Sequence, residues 1–246
     1  YKKSMTDMDI DLYRSLDIIQ SVSDNQIKNK EWCADAIEPY LKDIESKRSK
    51  VHVLIMGSWY GLLSQILFHR TAEHVIFDNC DVDPESEEIG NKLSRCVGHN
   101  QQKRIRFRGA EAFEYFVEDP SKYHMIINTS CEHMDASDLG MIPYMKSDDT
   151  IMCMQGNNYH SVTSHINTHN SLDEFTASLG LREVIWADTL EQEKIKVSAE
   201  IYNGMESEED EEQLELDFED DESEEDDVDV DDDDDTDDSD EDTEES

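Results

Sequence analysis

The chain has 246 residues and a formal charge of −41, with 62 Asp and Glu against 21 Lys and Arg. That balance excludes an extended phosphate-binding groove, which needs clustered cations, and no apolar run approaches the roughly 18 residues of a membrane span. The charge is uneven: residues 206–246 hold 29 carboxylates and no Lys or Arg, so they carry −29, and residues 1–205 carry −12.

In chain order, residues 7–22 place Ile10, Leu12, Leu16, Ile18 and Ile19 near helical spacing, and residues 32–44 do the same with Trp32, Ile37, Leu41 and Ile44. Both are expected to be helices packed on a sheet or over a cleft. A strand at 52–56 leads through Gly57-Ser58-Trp59-Tyr60-Gly61 into a helix at 62–69, and a second strand, 75–81, ends at Asp81 before Pro84 opens the next helix. Strands are then expected at 105–108, 123–128 and 150–154, with helices at 110–117, 135–144 and 171–179, the last closed by Gly180. Residues 184–187 and 195–202 read as two strands joined by a link too short for a crossover, hence antiparallel.

Alternating strand and helix predicts an α/β fold with a doubly wound, mostly parallel, seven-stranded Rossmann-like sheet and a C-terminal antiparallel hairpin. The expected organisation is N-terminal helices over residues 1–47, the Rossmann-like domain over 48–204 and an acidic tail over 205–246. Dense like charge and few apolar side chains predict that the tail is disordered. Five scattered cysteines, an odd number, suit reduced thiols in a cytoplasmic protein.

A strand that ends in a glycine turn and opens a helix brings backbone close to a small ligand, and Asp81 at the tip of the second strand adds a carboxylate beside the same crevice. That pairing points to a nucleoside cofactor held by its ribose. With the order of motifs that follows it, the chain resembles the class I S-adenosylmethionine-dependent methyltransferase family over roughly residues 48–204. The resemblance implies S-adenosyl-L-methionine as cofactor. It also implies that Gly57, Ser58 and Gly61 let backbone approach the methionine part, that Asp81 accepts the ribose hydroxyls, and that Glu111 or nearby backbone meets the adenine.

The run Asn128-Thr129-Ser130-Cys131-Glu132-His133-Met134 follows the fourth strand, where the resemblance puts the transferring methyl group. Asn128, Glu132 and His133 are the candidate catalytic residues, the last two able to take a proton from a nucleophile. Cys131 reads as a loop thiol, since a neighbouring carboxylate works against thiolate character. The family's amino-methylating members follow the Asn with two prolines and an aromatic, absent here, so a nucleobase amine is not the expected acceptor. Further on, His160, His165 and His169 lie in a polar stretch. The four-residue spacing of the last two suits one helical face, and Glu132, His133 or His160 could join them around a metal. No zincin glutamate follows and Thr and Asn disfavour a helix, so a substrate loop is expected and no metal site.

The leading expectation is a methyltransferase acting on a small molecule or a protein side chain. The alternative is a non-catalytic binding protein whose tail mimics nucleic acid or docks a partner. Gln213-Leu214-Glu215-Leu216-Asp217-Phe218 resembles the short peptide that binds bacterial sliding clamps, and the acidic flanks suit a basic protein. Long nucleic acid is not the expected substrate, since the small basic group Lys103, Arg104, Arg106 and Arg108 would serve only a loop contact.

Overall fold

The structure is a computed structural model that describes residues 12–97, 101–181 and 183–191. Two helices, α1 (Leu12–Gln20) and α2 (Asp24–Lys47), precede the alternating units β1 (Val51–Met56), α3 (Leu62–Arg70), β2 (Val75–Asp81), α4 (Pro84–Val97), α5 (Gln101–Arg104) and β3 (Ile105–Gly109). Then come α6 (Ala112–Val117), β4 (Met125–Asn128), α7 (Ala136–Met145), β5 (Ile151–Met154) and α8 (Leu172–Ser178), with single 3-10 turns at Pro120–Lys122 and Cys131–His133.

Among the described residues the sheet has five strands in the order β3-β2-β1-β4-β5, every pair parallel. β1 lies in the middle and is buried almost throughout, which explains its unbroken Val-Leu-Ile-Met character; alternation is the mark of a sheet with one wet face. One face is covered by α2 and α3, with Cys33, Ile37, Leu41, Leu63 and Leu67 packed on Val53, Ile55 and Phe77. The other is covered by α6 and α7, with Phe116, Leu139 and Ile142 packed on Leu54, Met56 and Ile126. The sheet is therefore doubly wound, as its strand and helix alternation predicts.

The seven-stranded sheet and closing hairpin are corrected. Residues 184–187 form no strand; Val184 and Ile185 are exposed, and the Trp186 ring packs on Trp32 of α2 with centroids 5.6 Å apart. A strand there would need β-branched side chains buried against a sheet face, whereas Val184 and Ile185 stay exposed and the segment's one aromatic contact is with a helix. The expected strand at 195–202 and the acidic tail with its clamp-like peptide lie outside the described residues, as does the start of the helix expected from residue 7. No described helix is long and apolar enough to cross a membrane.

The basic group at 103–108 is largely committed to internal contacts. Arg104 is buried, donates to the Val75 and Thr71 carbonyls and stacks on Phe68, while Arg106 faces Asp78 and Arg108 faces Glu87 at 3.8 Å. Arg104 is thereby withdrawn from any phosphate contact, and Arg106 and Arg108 each have a carboxylate beside them.

Candidate functional site

β1 and β4 run side by side, and the helices that follow them go to opposite faces, so a crevice opens beyond their carboxyl ends. The β1 loop is tightly wound, with Gly57, Trp59 and Gly61 all at positive φ (60°, 51° and 79°). A tryptophan in this region costs on the order of 1–2 kcal/mol and persists only where its surroundings hold it. Here the hold is Asp81: one carboxylate oxygen accepts from the Trp59 amide at 2.7 Å, the other from the Asp83 amide at 3.1 Å. Burial pushes the Asp81 carboxyl above the usual range, the two amides pull it partly back, and the charges of Asp83 and Asp17 push it up again.

α1 fastens over this loop. Asp17 accepts from the Trp59 indole N–H at 3.0 Å and from the Tyr60 hydroxyl, while Arg14 donates to Tyr60 at 2.7 Å and pairs with Asp83 and, at 2.9 Å, with Glu85. Ile18 is the apolar anchor, packed with Tyr60, Ile89 and Leu93. The expected helix is there, docked on the β1 loop, and it is held as much by charge as by apolar contact.

Beside the β1 loop lies a cavity of about 270 Å³, close to the lower end of small-molecule sites. Gly57, Ser58 and Asp81 line one end and Ser130, Glu132 and His133 the other. The two loops touch: the Ser130 hydroxyl donates to the Gly57 carbonyl at 3.2 Å, and a Cβ at Gly57 would overlap the Ser130 side chain. Two buried side-chain oxygens of the lining, Ser58 Oγ and Glu132 Oε2, have no hydrogen-bond partner. Buried polar groups are nearly always satisfied, so two in one cavity mark a place built for a polar ligand or ordered water.

Of the sequence-derived residues, Gly57, Ser58, Asp81, Glu132 and His133 meet at this cavity. Gly61 does not line it; it starts α3, and a Cβ there would stand 2.5 Å from the Phe107 ring. Asn128 is fully buried behind the loop, accepting from the Ser130 amide and donating to Met134 Sδ, both at 2.9 Å, so it shapes the loop and does not face a ligand. Glu111 caps α6 by accepting from the Glu114 amide at 2.8 Å and lies outside the lining. Cys131 is fully buried, and burial pushes its thiol well up, in keeping with an inert side chain.

The sequence reading missed the contribution of the N-terminal helices: Ser21, Gln26 and Lys30 also line the cavity. Lys30 lies on the stripe of α2 that carries the buried Cys33, Ala34, Ile37, Leu41 and Ile44, a helical spacing that would have exposed it as a cation aimed inward. Burial lowers its pKa, against the attraction of Cys33, Glu132 and Cys153. The folded state then binds a proton less tightly than the unfolded state, so stability rises with pH between the folded value and the ordinary lysine value. Lys30→Met is expected to unfold at higher urea than wild type at pH 7 and to lose that rise; matching slopes across pH 7–10 would refute it.

The histidine loop after β5 is irregular, so no helical face pairs His165 with His169. His169 packs on the Phe175 ring, and His160 Nδ1 contacts the Thr168 hydroxyl at 2.5 Å. His165 instead meets His133 edge to face, with ring centroids 4.6 Å apart. The loop wraps the 131–133 turn: Asn157 donates to Glu132 Oε1 at 2.6 Å, and the Asn167 amide donates to the Glu132 carbonyl at 3.0 Å.

No protein-family model and no curated protein sequence matches the chain. Solved structures do. The plantazolicin methyltransferase BpumL, solved with a pentazolic desmethylPZN analogue and SAH, is similar at a TM-score of 0.50 and 15% identity, over 72% of this chain and 71% of its own. YcgJ from Bacillus subtilis has a TM-score of 0.48 and 16% identity, over 74% and 85% of the two chains. A SAM-dependent methyltransferase from Agrobacterium tumefaciens has a TM-score of 0.44 and 14% identity, over 65% and 50%. The chain spans about half the length of others that it matches, 46% of a putative sarcosine dimethylglycine methyltransferase from Galdieria sulphuraria and 56% of the [4+2]-cyclase SpnF. At such identities the likeness is one of fold.

Proposed function

We propose, from the premise that this chain has the class I S-adenosylmethionine-dependent methyltransferase fold, that it binds S-adenosyl-L-methionine and methylates a small molecule or a protein side chain. The observation that carries the reading is the convergence of Gly57, Ser58 and Asp81 with Ser130, Glu132 and His133 on one cavity at the crevice between β1 and β4. The donor set fits the cofactor. Asp81 uses one lone pair of each oxygen on backbone and has others for two ribose hydroxyls. Ser58 Oγ is buried and unpaired, and the bare Cα of Gly57 lets the Ser130 side chain close against the β1 loop.

The bound cofactor would supply an electrophilic methyl carbon on a sulfonium. The protein's part is alignment: Asp81 and the β1 loop fix the cofactor, the 129–133 loop presents the acceptor, and α1 holds Trp59 and Tyr60 of the cavity wall in place. Positioning of this kind accounts for a large share of the rate in bimolecular transfers. Asn128 serves indirectly, through the Ser130 amide. The five free cysteines suit a cytoplasmic setting, which we propose with it.

The test is calorimetric titration of S-adenosyl-L-methionine, and separately S-adenosylhomocysteine, into the full chain. One equivalent bound at micromolar Kd is expected. An absence of heat and of thermal stabilisation with both ligands would overturn the reading.

A further inference from the structure

We infer that Glu132, His133 and His165 form a binding site for a divalent first-row transition-metal ion at the acceptor end of the cavity. One potential ligand atom from each lies within 4.8 Å of the others. Neighbouring ligands on a metal at about 2.0–2.2 Å stand roughly 3–3.5 Å apart, so each group needs to move by about 1 Å or less.

Three features of the cluster point to a ligand. Both imidazoles face backbone carbonyls through Nδ1, His133 to Ser164 at 3.0 Å and His165 to Tyr159 at 2.8 Å. A carbonyl only accepts, so Nδ1 carries the proton in each ring and Nε2 is left with its lone pair. Imidazoles that ligate metals are held in this way, the second nitrogen donating to a carbonyl or carboxylate. Glu132 is only 9% exposed, and while Asn157 satisfies Oε1, Oε2 is buried with no partner. Leaving a buried acceptor bare costs about 1–3 kcal/mol, which a cation would offset. Finally, the wrapping of the 131–133 turn by Asn157 and Asn167 fixes the carboxylate beside the two rings.

Two imidazoles and one carboxylate select zinc, cobalt, iron or manganese over magnesium or calcium, which prefer all-oxygen sets. Three protein ligands leave coordination positions open, and because Glu132 and His133 line the cavity, an open position is available to a water or an oxygen of the acceptor. Binding of the ion does not depend on the methyltransferase reading; only that use of the open position does.

The probe is Co²⁺, titrated into the chelator-treated full chain in excess Mg²⁺, which occupies the carboxylates of the acidic tail without competing for imidazole. One tight equivalent is expected, with two hyperfine-shifted imidazole N–H protons in the proton spectrum, retained because both are bonded to carbonyls. Glu132→Gln and His165→Ala should each weaken Co²⁺ binding about 10- to 100-fold, while His160→Ala and His169→Ala leave it unchanged. His165→Ala removes an irregular-loop side chain, and an unaltered thermal midpoint without metal would establish that it folds. Co²⁺ binding equal in wild type and His165→Ala, or no shifted imidazole proton, would overturn the site. Tight Co²⁺ binding without any S-adenosyl-L-methionine binding would instead keep the site and sink the methyltransferase reading.

Discussion

Gly57→Ala is expected to destabilise the fold by about 3 kcal/mol and to abolish binding of S-adenosyl-L-methionine at micromolar concentrations. The backbone at Gly57 has φ 60°, which costs an alanine about 1–2 kcal/mol. The added methyl would also overlap the Ser130 side chain, and overpacking of this sort costs about 1–3 kcal/mol. The movement that relieves the overlap separates the β1 and β4 loops, which form the two ends of the cavity. Adding Ser130→Gly removes the overlapping atoms, so the double variant should recover all but the dihedral cost and the lost bond from Ser130 to the Gly57 carbonyl. Urea midpoints of the wild type, the two single variants and the pair would decide it. An unperturbed Gly57→Ala midpoint, or no recovery in the pair, would show that the two loops are not in contact.

Asp81→Asn should bind S-adenosyl-L-methionine about 30- to 1,000-fold more weakly, while its stability at pH 7 stays within about 1 kcal/mol of wild type. A charge-assisted hydrogen bond contributes about 1.5–3 kcal/mol, and the carboxylate is positioned to make two with the ribose; the amide offers one acceptor oxygen. Stability moves little because two effects oppose. The amide can accept from only one of the Trp59 and Asp83 amides, but it is spared the burial of a charge. The sign follows from the raised pKa: the folded state holds the proton more tightly than the unfolded state, so this carboxyl favours folding at low pH and that contribution is lost as pH rises through its folded value. Affinity runs the other way, falling as acid protonates the acceptor, at a higher pH than for an ordinary aspartate. Calorimetry between pH 4 and 8 alongside urea unfolding separates the two. Wild-type affinity in Asp81→Asn would remove the ribose role.

Local pattern made much of this legible. The apolar run of β1, the turn at Gly57 and the tip of β2 at Asp81 each depend on residues close in sequence, and each lies where periodicity and turn chemistry place it. What the pattern could not give is the meeting of distant segments. Four-residue spacing pairs His165 with His169 and leaves Glu132, His133 and His160 as alternatives; the loop is not helical, and only the fold selects His133, which β5 brings within reach. Asn128 is a catalytic candidate by its place in the loop that the resemblance puts at the methyl group; its burial against Met134 and Ser130 is a matter of packing. Residues 184–187 carry a strand's composition, but β5 is an edge of the described sheet, and the segment leaves Val184 and Ile185 exposed while Trp186 meets the Trp32 ring.

The way α1 is held has a consequence for timing. Its partners are distant along the chain, Tyr60 being 46 and Asp83 69 residues from Arg14, so they exist only after the sheet has formed. Its exposed Leu12, Tyr13, Leu16 and Ile19 leave Ile18 as its one buried residue. Such an element docks last in folding and detaches first, as a unit of low local stability. Amide protons of α1 should therefore exchange with solvent well ahead of those in β1, and faster in high salt, which screens its ion pairs. Because α1 holds Trp59 and Tyr60, which line the cavity, its detachment would loosen one wall of the site and tie the pace of ligand release to residues that never touch the reacting atoms.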